Sequence, residues 1–428
     1  MLFAYIFFVS FVVCFFHRKD REVFLQSTQR KNKIKLSEVF DLNGLSEMGK
    51  RIKIIADNKI PLLKGVFESY ADIIYLPPLE ITNKNVKDAD ALLIRTRTKC
   101  NSKLLNGTSV RFIATATIGY DHIDTSYCES KNIKWINAPG CNSSSVMQYV
   151  ASALLTIAVR KNLNLSEMTI GIVGVGNVGS KVARLFESLG MKVLLNDPPR
   201  ERKEGKENFV SLEDLINRSN IITFHVPLIK EGVDKTFHLV DESFFAKLNE
   251  KKILFNTSRG EVVESNALKN AIKNKIISTS VIDVWENEPS IDIDLLNMVD
   301  IATPHIAGYS ADGKANGTAI CVRGLSSFFN LGINDDWYPS SVPIPGNPKE
   351  LIFECKGKLD QEILTEIILS TYDVAKDDDT LRKSVETFEK QRNEYPIRRE
   401  FPYYQIKLQN GNQKLKKTLN ELGFNVEE

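Results

Sequence analysis

From position 51 onward the chain sets short apolar runs against amphipathic stretches. "IKIIAD" (52–57), "DALLIR" (90–95) and "VRFIATA" (110–116) are brief and rich in Ile, Val and Leu, whereas "LLKGVFESY" (62–70) spaces its apolar positions in a helix-like way. Apolar runs of that length, separated by amphipathic stretches, predict strands of a parallel sheet with helices on both faces. A long helix is expected over 143–161, "SSSVMQYVASALLTIAVRK", with serines suited to cap its start. "MTIGIVGVGNVGSKVARLFESLGMKVLLND" opens a second strand-and-helix run that continues to about residue 304, and one more long helix is expected from roughly Ala311 to Leu331. The prolines of "NDDWYPSSVPIPGNPKE" mark a linker, and the tail beyond them reads as a separate, smaller unit.

The start of the chain breaks this pattern. "LFAYIFFVSFVVCFF" (2–16) is almost wholly apolar, yet no basic residue precedes it and no small-x-small cleavage site follows it. It is also shorter than the roughly 20 residues that span a bilayer. The pattern favours an over-extended start, with Met48 as the natural first residue, over a membrane anchor or a secretion signal.

Composition narrows the partners. At 428 residues the chain exceeds what one core usually supports, so two or three domains are expected. Apolar residues at 43% and charged residues at 26% are the balance of a soluble globular protein. A formal net charge of +2 gives no reason to expect nucleic acid or an anionic membrane as the main partner, and a small molecule fits better. The six cysteines show no CxxC pair and no metal-ligand spacing, which argues against a disulfide framework or a zinc site and suits a reducing, cytoplasmic setting.

The strongest local signal is Gly174, Gly176 and Gly179, a GxGxxG that follows the apolar strand "TIGIV" and opens a helix. The first glycine permits the tight turn, the second lets backbone approach a pyrophosphate, and the third lets helix pack on strand. The helix N-terminus then favours the anion. The next strand ends in Asp197, where an acid binds the adenosine ribose diol and repels a 2'-phosphate, so NAD is expected over NADP. Arg200 and Arg202 nearby weigh the other way.

Three further strands each end in a polar group: "ILFNTSRGEVVE" presents Arg259, "SVIDVWENEP" presents Glu288, and "DIATPHIAGYS" presents His305. Taken singly, each is readable as a surface ion pair, a solvated acid or a satisfied turn residue. In open α/β sheets, however, ligands bind at the carboxyl ends of strands, so three such groups are expected to converge on the cofactor crevice.

These stretches, "GVGNVG", "NTSRGEVVE", "DVWENEP", "TPHIAGYS" and "ATATIGYDHID" (114–124), resemble the D-isomer-specific 2-hydroxyacid dehydrogenase family, in order and spacing, over residues 52 to about 331. Further stretches, "RTRTKCN" (95–101), "NAPGCNSSSVMQYV" (137–150), "ITFHVPL" (222–228) and "HIAGYSADGKA" (305–315), resemble a member that takes a phosphorylated 2-hydroxy acid. In the tail, "RREF" (398–401) and "LNELGFNV" (419–426) resemble that member's dimerisation domain.

The resemblance implies an α/β architecture: a Rossmann NAD-binding domain (146–304) inserted in a flavodoxin-like substrate domain (51–145 and 305–333). A linker (334–348) and a small α+β dimerisation domain (349–428) follow, and residues 1–50 are left as an extension. It implies a homodimer, with His305 as general acid/base, Glu288 on its other ring nitrogen, and Arg259 on the substrate carboxylate or carbonyl oxygen. Asn177 and Val178 fall at the cofactor turn, Thr257 and Ser258 beside Arg259, Asp283 near the nicotinamide, and Gly308 beside the histidine. Thr96, Thr117 and Tyr309 fall where substrate is contacted. Val226 stands where a threonine is commoner, and "DNKIP" (57–61) where the family usually has "DENMP".

Arg95, Arg97 and Lys99 are candidates for the substrate phosphate, weighed against a plain solvated face, and Arg398 and Arg399 for a reach into a neighbouring subunit's site. The alternatives to this reading are 3-phosphoglycerate or hydroxypyruvate chemistry on the same triad, and a corepressor-like NAD sensor without turnover.

Overall fold

Strand order shows how the two expected α/β runs fold. The structure, a computed structural model, describes residues 51–427; the expectation for residues 1–50 lies outside the described residues. The first sheet has the order β2-β1-β3-β4-β5, from β1 (Lys53–Asp57), β2 (Asp72–Leu76), β3 (Ala91–Ile94), β4 (Phe112–Thr115) and β5 (Lys134–Ile136), all parallel. This is the flavodoxin-like order, and the fully buried β3 and β4 show why those segments read as continuous apolar runs.

Helix α1 (Ser143–Lys161) leads into a six-stranded parallel sheet. Its strands are β6 (Thr169–Val173), β7 (Lys192–Asn196), β8 (Ile221–Phe224), β9 (Lys252–Asn256), β10 (Ile277–Ile282) and β11 (Ile301–Ala302), in the order β11-β10-β9-β8-β6-β7. The order reverses between β6 and β8, which opens a crevice at their carboxyl ends. Helix α2 (Asn177–Ser188) follows β6, and α3 (Pro198–Glu204) follows β7. Helix α4 (Ala311–Phe329) returns the chain to the first sheet and packs on β4, and its Gly324 leaves room for the Ile136 side chain of β5.

The tail forms a third parallel sheet, β12 (Glu350–Glu354), β13 (Gln405–Gln409) and β14 (Asn425–Val426), with helices α5 (Asp360–Thr371), α6 (Val374–Lys383) and α7 (Phe388–Asn393) between β12 and β13. It does not stand apart. One apolar core runs from Tyr149 and Leu154 on α1 through Ile170 and Ile172 on β6 to Ile367 and Phe401 in the tail. Almost all of α1 is buried because three layers press on it.

Two local expectations are corrected. Residues 62–70 form turns, not a helix: Leu62 and Gly65 both take positive φ, which no right-handed helix accommodates. The serines of α1 do not cap it either. Asn142 is the N-cap, without a side-chain cap bond; Ser143 donates to the Gly140 carbonyl and Ser145 is drawn into the interior.

Candidate active site

Parallel register places the three sequence candidates in the loops of neighbouring strands. Asn256, Ile282 and Ala302 are neighbours across β9, β10 and β11, and Arg259, Glu288 and His305 follow them in the adjoining loops. Gly260 allows the first two loops to touch: a Cβ there would lie 2.0 Å from the Trp285 carbonyl carbon. The His305 N–H donates to the Asp283 carbonyl at 2.7 Å, tying the third loop to the second.

His305 Nδ1 lies 2.7 Å from Glu288 Oε2, which leaves Nε2 for a substrate. The other Glu288 oxygen accepts from the Trp285 N–H at 2.9 Å, so the carboxylate is aimed from behind. Burial pushes the Glu288 carboxyl upward, but the His305 hydrogen bond and charge, the Trp285 N–H and the Arg392 charge outweigh it and hold the group below its usual range.

His305 has φ of 56°, a left-handed backbone unusual outside glycine, and the loop is held on both sides. Asp283 accepts from the Thr303 hydroxyl at 2.6 Å, the Ile306 N–H at 2.8 Å and the Ala307 N–H at 3.0 Å. Burial raises the Asp283 carboxyl above its ordinary value, against the opposing pull of His305 and these donors. From the opposite side Arg398 Nη2 donates to the Ala307 carbonyl at 2.6 Å.

Arg259 Nη1 donates to the Ser258 carbonyl at 2.8 Å, and Nη2 would lie 2.7 Å from a Cβ at Gly119, so the guanidinium reaches the "TIGYD" loop of the first sheet. In that loop Thr117 bonds the Gly119 carbonyl at 2.9 Å and the Thr115 hydroxyl at 2.7 Å. Thr96 is exposed at the end of β3, and Tyr309 is half-buried after Gly308. Gly308 and Gly313 accommodate Asn142, a residue absent from the sequence-based candidates; a Cβ at Gly308 would lie 2.2 Å from Asn142 Nδ2.

The cofactor turn fits a dinucleotide. Gly174 has φ of +89° and sits against the His225 carbonyl, while a Cβ at Gly179 would lie 2.0 Å from the Gly174 oxygen. Around Gly176 there is nothing within 4 Å of that position, which is the open approach a pyrophosphate needs at the start of α2. Asn177 lies against Gly140, and Val178 packs on the main core. Asp197 accepts from the Val175 N–H at 2.8 Å and caps α3 through the Arg200 N–H at 3.0 Å.

Arg200 pairs with Glu204 and Arg202 with Asp234, so both arginines that weighed toward NADP already have acidic partners. Val226, where a threonine is commoner, packs against Gly174. Thr257 lies 3.3 Å from His225 Nδ1, and Ser258 donates to Asn256 at 2.8 Å. His225 also escaped the sequence reading; burial pushes its imidazole down to about 3, so it is neutral.

The tail arginines make their contacts within this chain. Arg398 is 5% exposed and stacks over Tyr372 at 4.3 Å, and Arg399 forms a bidentate pair with Asp312 at 2.9 Å and 3.0 Å. Glu400 accepts from Ser145 and Ser310 at 2.8 Å and 2.9 Å, pinning the segment between α1 and α4. Among the three candidates for the phosphate, Arg97 pairs with Glu389 of α7 and Lys99 is exposed, whereas Arg95 reaches back to the Lys59 carbonyl at 3.4 Å.

Comparison with known proteins places the chain in a family. The family model "D-isomer specific 2-hydroxyacid dehydrogenase, NAD binding domain" matches residues 153–307, and a "Domain of unknown function (DUF3410)" matches residues 348–423. An erythronate-4-phosphate dehydrogenase of Bacteroides thetaiotaomicron is 53% identical, over 83% of this chain and 99% of its own length. One of Proteus mirabilis is 40% identical, over 88% and 99%.

Among solved structures, a D-lactate dehydrogenase of Aquifex aeolicus complexed with NAD and lactic acid matches with a TM-score of 0.54 and 25% identity, over 65% of this chain and 95% of its own. A 3-phosphoglycerate dehydrogenase of Entamoeba histolytica with bound NAD+ shares the fold, with a TM-score of 0.56 and 24% identity over 69% of this chain and all of its own. With its NAD-binding domain and its identity to curated relatives over most of its length, the chain belongs to the erythronate-4-phosphate dehydrogenases, within the D-isomer-specific 2-hydroxyacid dehydrogenase family.

Proposed function

We propose that this chain oxidises 4-phospho-D-erythronate to 2-oxo-3-hydroxy-4-phosphobutanoate with NAD, as a step of pyridoxal 5'-phosphate (vitamin B6) biosynthesis. The observation that carries the reading is the His305 Nδ1–Glu288 Oε2 contact of 2.7 Å, in the loops that follow β10 and β11 of the sheet whose β6 leads into the dinucleotide turn. Bound NAD supplies the hydride acceptor. His305 Nε2 takes the proton of the C2 hydroxyl, and Glu288 stabilises the ring charge that results. Arg259 holds the substrate carboxylate with a planar fork of donors and orients C2. The Gly176 main chain and the α2 N-terminus take the pyrophosphate, and Asp197 takes the ribose diol.

In this proposal residues 51–145 and 305–333 form the substrate domain, 146–304 the NAD-binding domain, 334–348 a linker and 349–428 a dimerisation domain. The enzyme works as a homodimer in the cytoplasm. Ile352, on the edge strand β12, is 62% exposed and Leu359 is 72% exposed, apolar surface that a second copy would cover. Among the described residues no helix is long and apolar enough to cross a membrane.

Purified protein mixed with NAD and 4-phosphoerythronate should raise the absorbance of NADH. NAD binding without turnover of any 2-hydroxy acid would favour the sensor reading, and preference for 3-phosphoglycerate or glycerate would favour the other dehydrogenase chemistry.

A further inference from the structure

The functional reading leaves the substrate phosphate without a partner. Arg259 faces the reacting end, and two of the three basic residues at the end of β3 are accounted for by an acid or by solvent exposure. A different cation stands in the right place.

Lys314 lies in the first turn of α4, after the N-cap Ser310 and on the same strand-to-helix segment as His305. Its ammonium sits 5.2 Å from the centre of the Tyr309 ring. Among the described residues no carboxylate lies within ion-pair distance of it, although the residue is half-buried. A half-buried ammonium without an anion is an expensive arrangement, which a bound anion relieves. Burial, with the Arg95 and Arg398 charges next, pulls the Lys314 ammonium below its ordinary value, in keeping with an uncompensated cationic cluster.

The surrounding contacts fix where this cluster stands. One turn on from Lys314, the Thr318 hydroxyl donates to the Pro61 carbonyl at 2.7 Å, in the loop after β1. Arg95 donates to the Lys59 carbonyl of that same loop. Gly317 would place a Cβ 3.0 Å from the Ala116 oxygen, and Gly119 sits against Arg259 Nη2. The Ala116–Gly119 segment therefore joins the α4 turn that carries Lys314 to the Arg259 guanidinium. Three residues of chain span at most about 10 Å, so the Gly317 position, one turn on from Lys314, and the Arg259 guanidinium are neighbours on the scale of a short phosphorylated acid.

We propose that Lys314, with Arg95 beside it, recognises the terminal phosphate and sets the preference for a phosphorylated over an unphosphorylated 2-hydroxy acid. This rests on the functional reading above. An ammonium and a guanidinium together match a phosphate dianion, as a point charge and as a donor fork.

The test is Lys314→Met, which keeps the aliphatic stem against Tyr309, beside Lys314→Arg, which restores the charge. For each, the KM for 4-phosphoerythronate is compared with the inhibition constant of unphosphorylated D-erythronate, and NAD binding reports the fold. The preference for the phosphorylated acid should fall about 10- to 100-fold in Lys314→Met, the loss expected when a charge-assisted hydrogen bond is removed, and recover in part in Lys314→Arg. An unaltered preference, or equal weakening for both acids, would overturn the assignment. Failure of the unmodified protein to turn over 4-phosphoerythronate would instead remove the functional reading beneath it.

Discussion

Arg398 Nη2 donates to the carbonyl of Ala307 at 2.6 Å, two residues beyond His305, from a position that is 5% exposed. The tail of the chain thus holds the backbone of the His305 loop within the same chain. Asp377 and Glu400 lie in the electrostatic range of this guanidinium, so its removal takes a favourable charge from both. Arg398→Met should destabilise the protein by about 1 to 3 kcal/mol, measured by denaturant unfolding, as a charged donor to a buried carbonyl is lost. It should also lower kcat at temperatures where the variant is folded, because the His305 loop loses one of its two clamps.

Glu288→Gln tests the acid–base pair. The carboxylate holds His305 Nδ1 at 2.7 Å and so fixes the ring with Nε2 toward the substrate. In the variant kcat should drop about 10- to 100-fold as the ring loses its orientation and charge partner, with NAD binding unaltered. An unaltered kcat would remove Glu288 from this role.

Gly176 and Gly179 separate cofactor binding from folding. Gly176 has open space at the Cβ position and φ of −75°, so Gly176→Val should fold with an unaltered melting temperature yet bind NAD at least about tenfold more weakly. Gly179→Ala meets the Gly174 oxygen at 2.0 Å and should lower the melting temperature, even without NAD. Fluorescence titration and thermal unfolding distinguish the two outcomes.

His225 predicts a component of acid sensitivity. Its imidazole falls from 6.5 to about 3 in the folded chain because burial disfavours the charged ring. The unfolded chain takes up that proton first, so the stability linked to this group is complete above the free value and drains as pH falls from about 6.5 toward 3. His225→Gln should flatten the fall in denaturant midpoint over that window, whatever it costs near neutral pH, where the ring bonds Thr223 at 3.0 Å.

The legible parts of this protein are those whose cause is local. An apolar run such as "FIAT" must be a buried strand wherever it packs, and GxGxxG between a strand and a helix has one backbone solution. TPH after a third apolar run places His305 at a strand end, and the parallel order of the sheet then does the rest. The same logic failed at 62–70, where apolar spacing looked helical but Leu62 and Gly65 turn the chain with positive φ.

What stayed hidden is held by partners remote in the chain. Ser145 meets Glu400 across 255 positions and Gln148 meets Arg399 across 251, so a serine suited to capping became an interior anchor and a tail read as separate joined the main core. Arg398 and Lys314 acquired their surroundings in the same way, one from the Ala307 carbonyl it reaches and the other from the Tyr309 ring beneath it. Periodicity and glycine placement act through nearest neighbours and survive any arrangement of the domains. Burial, charge balance and the direction of a long side chain depend on which surfaces finally meet, and those follow from the packed fold.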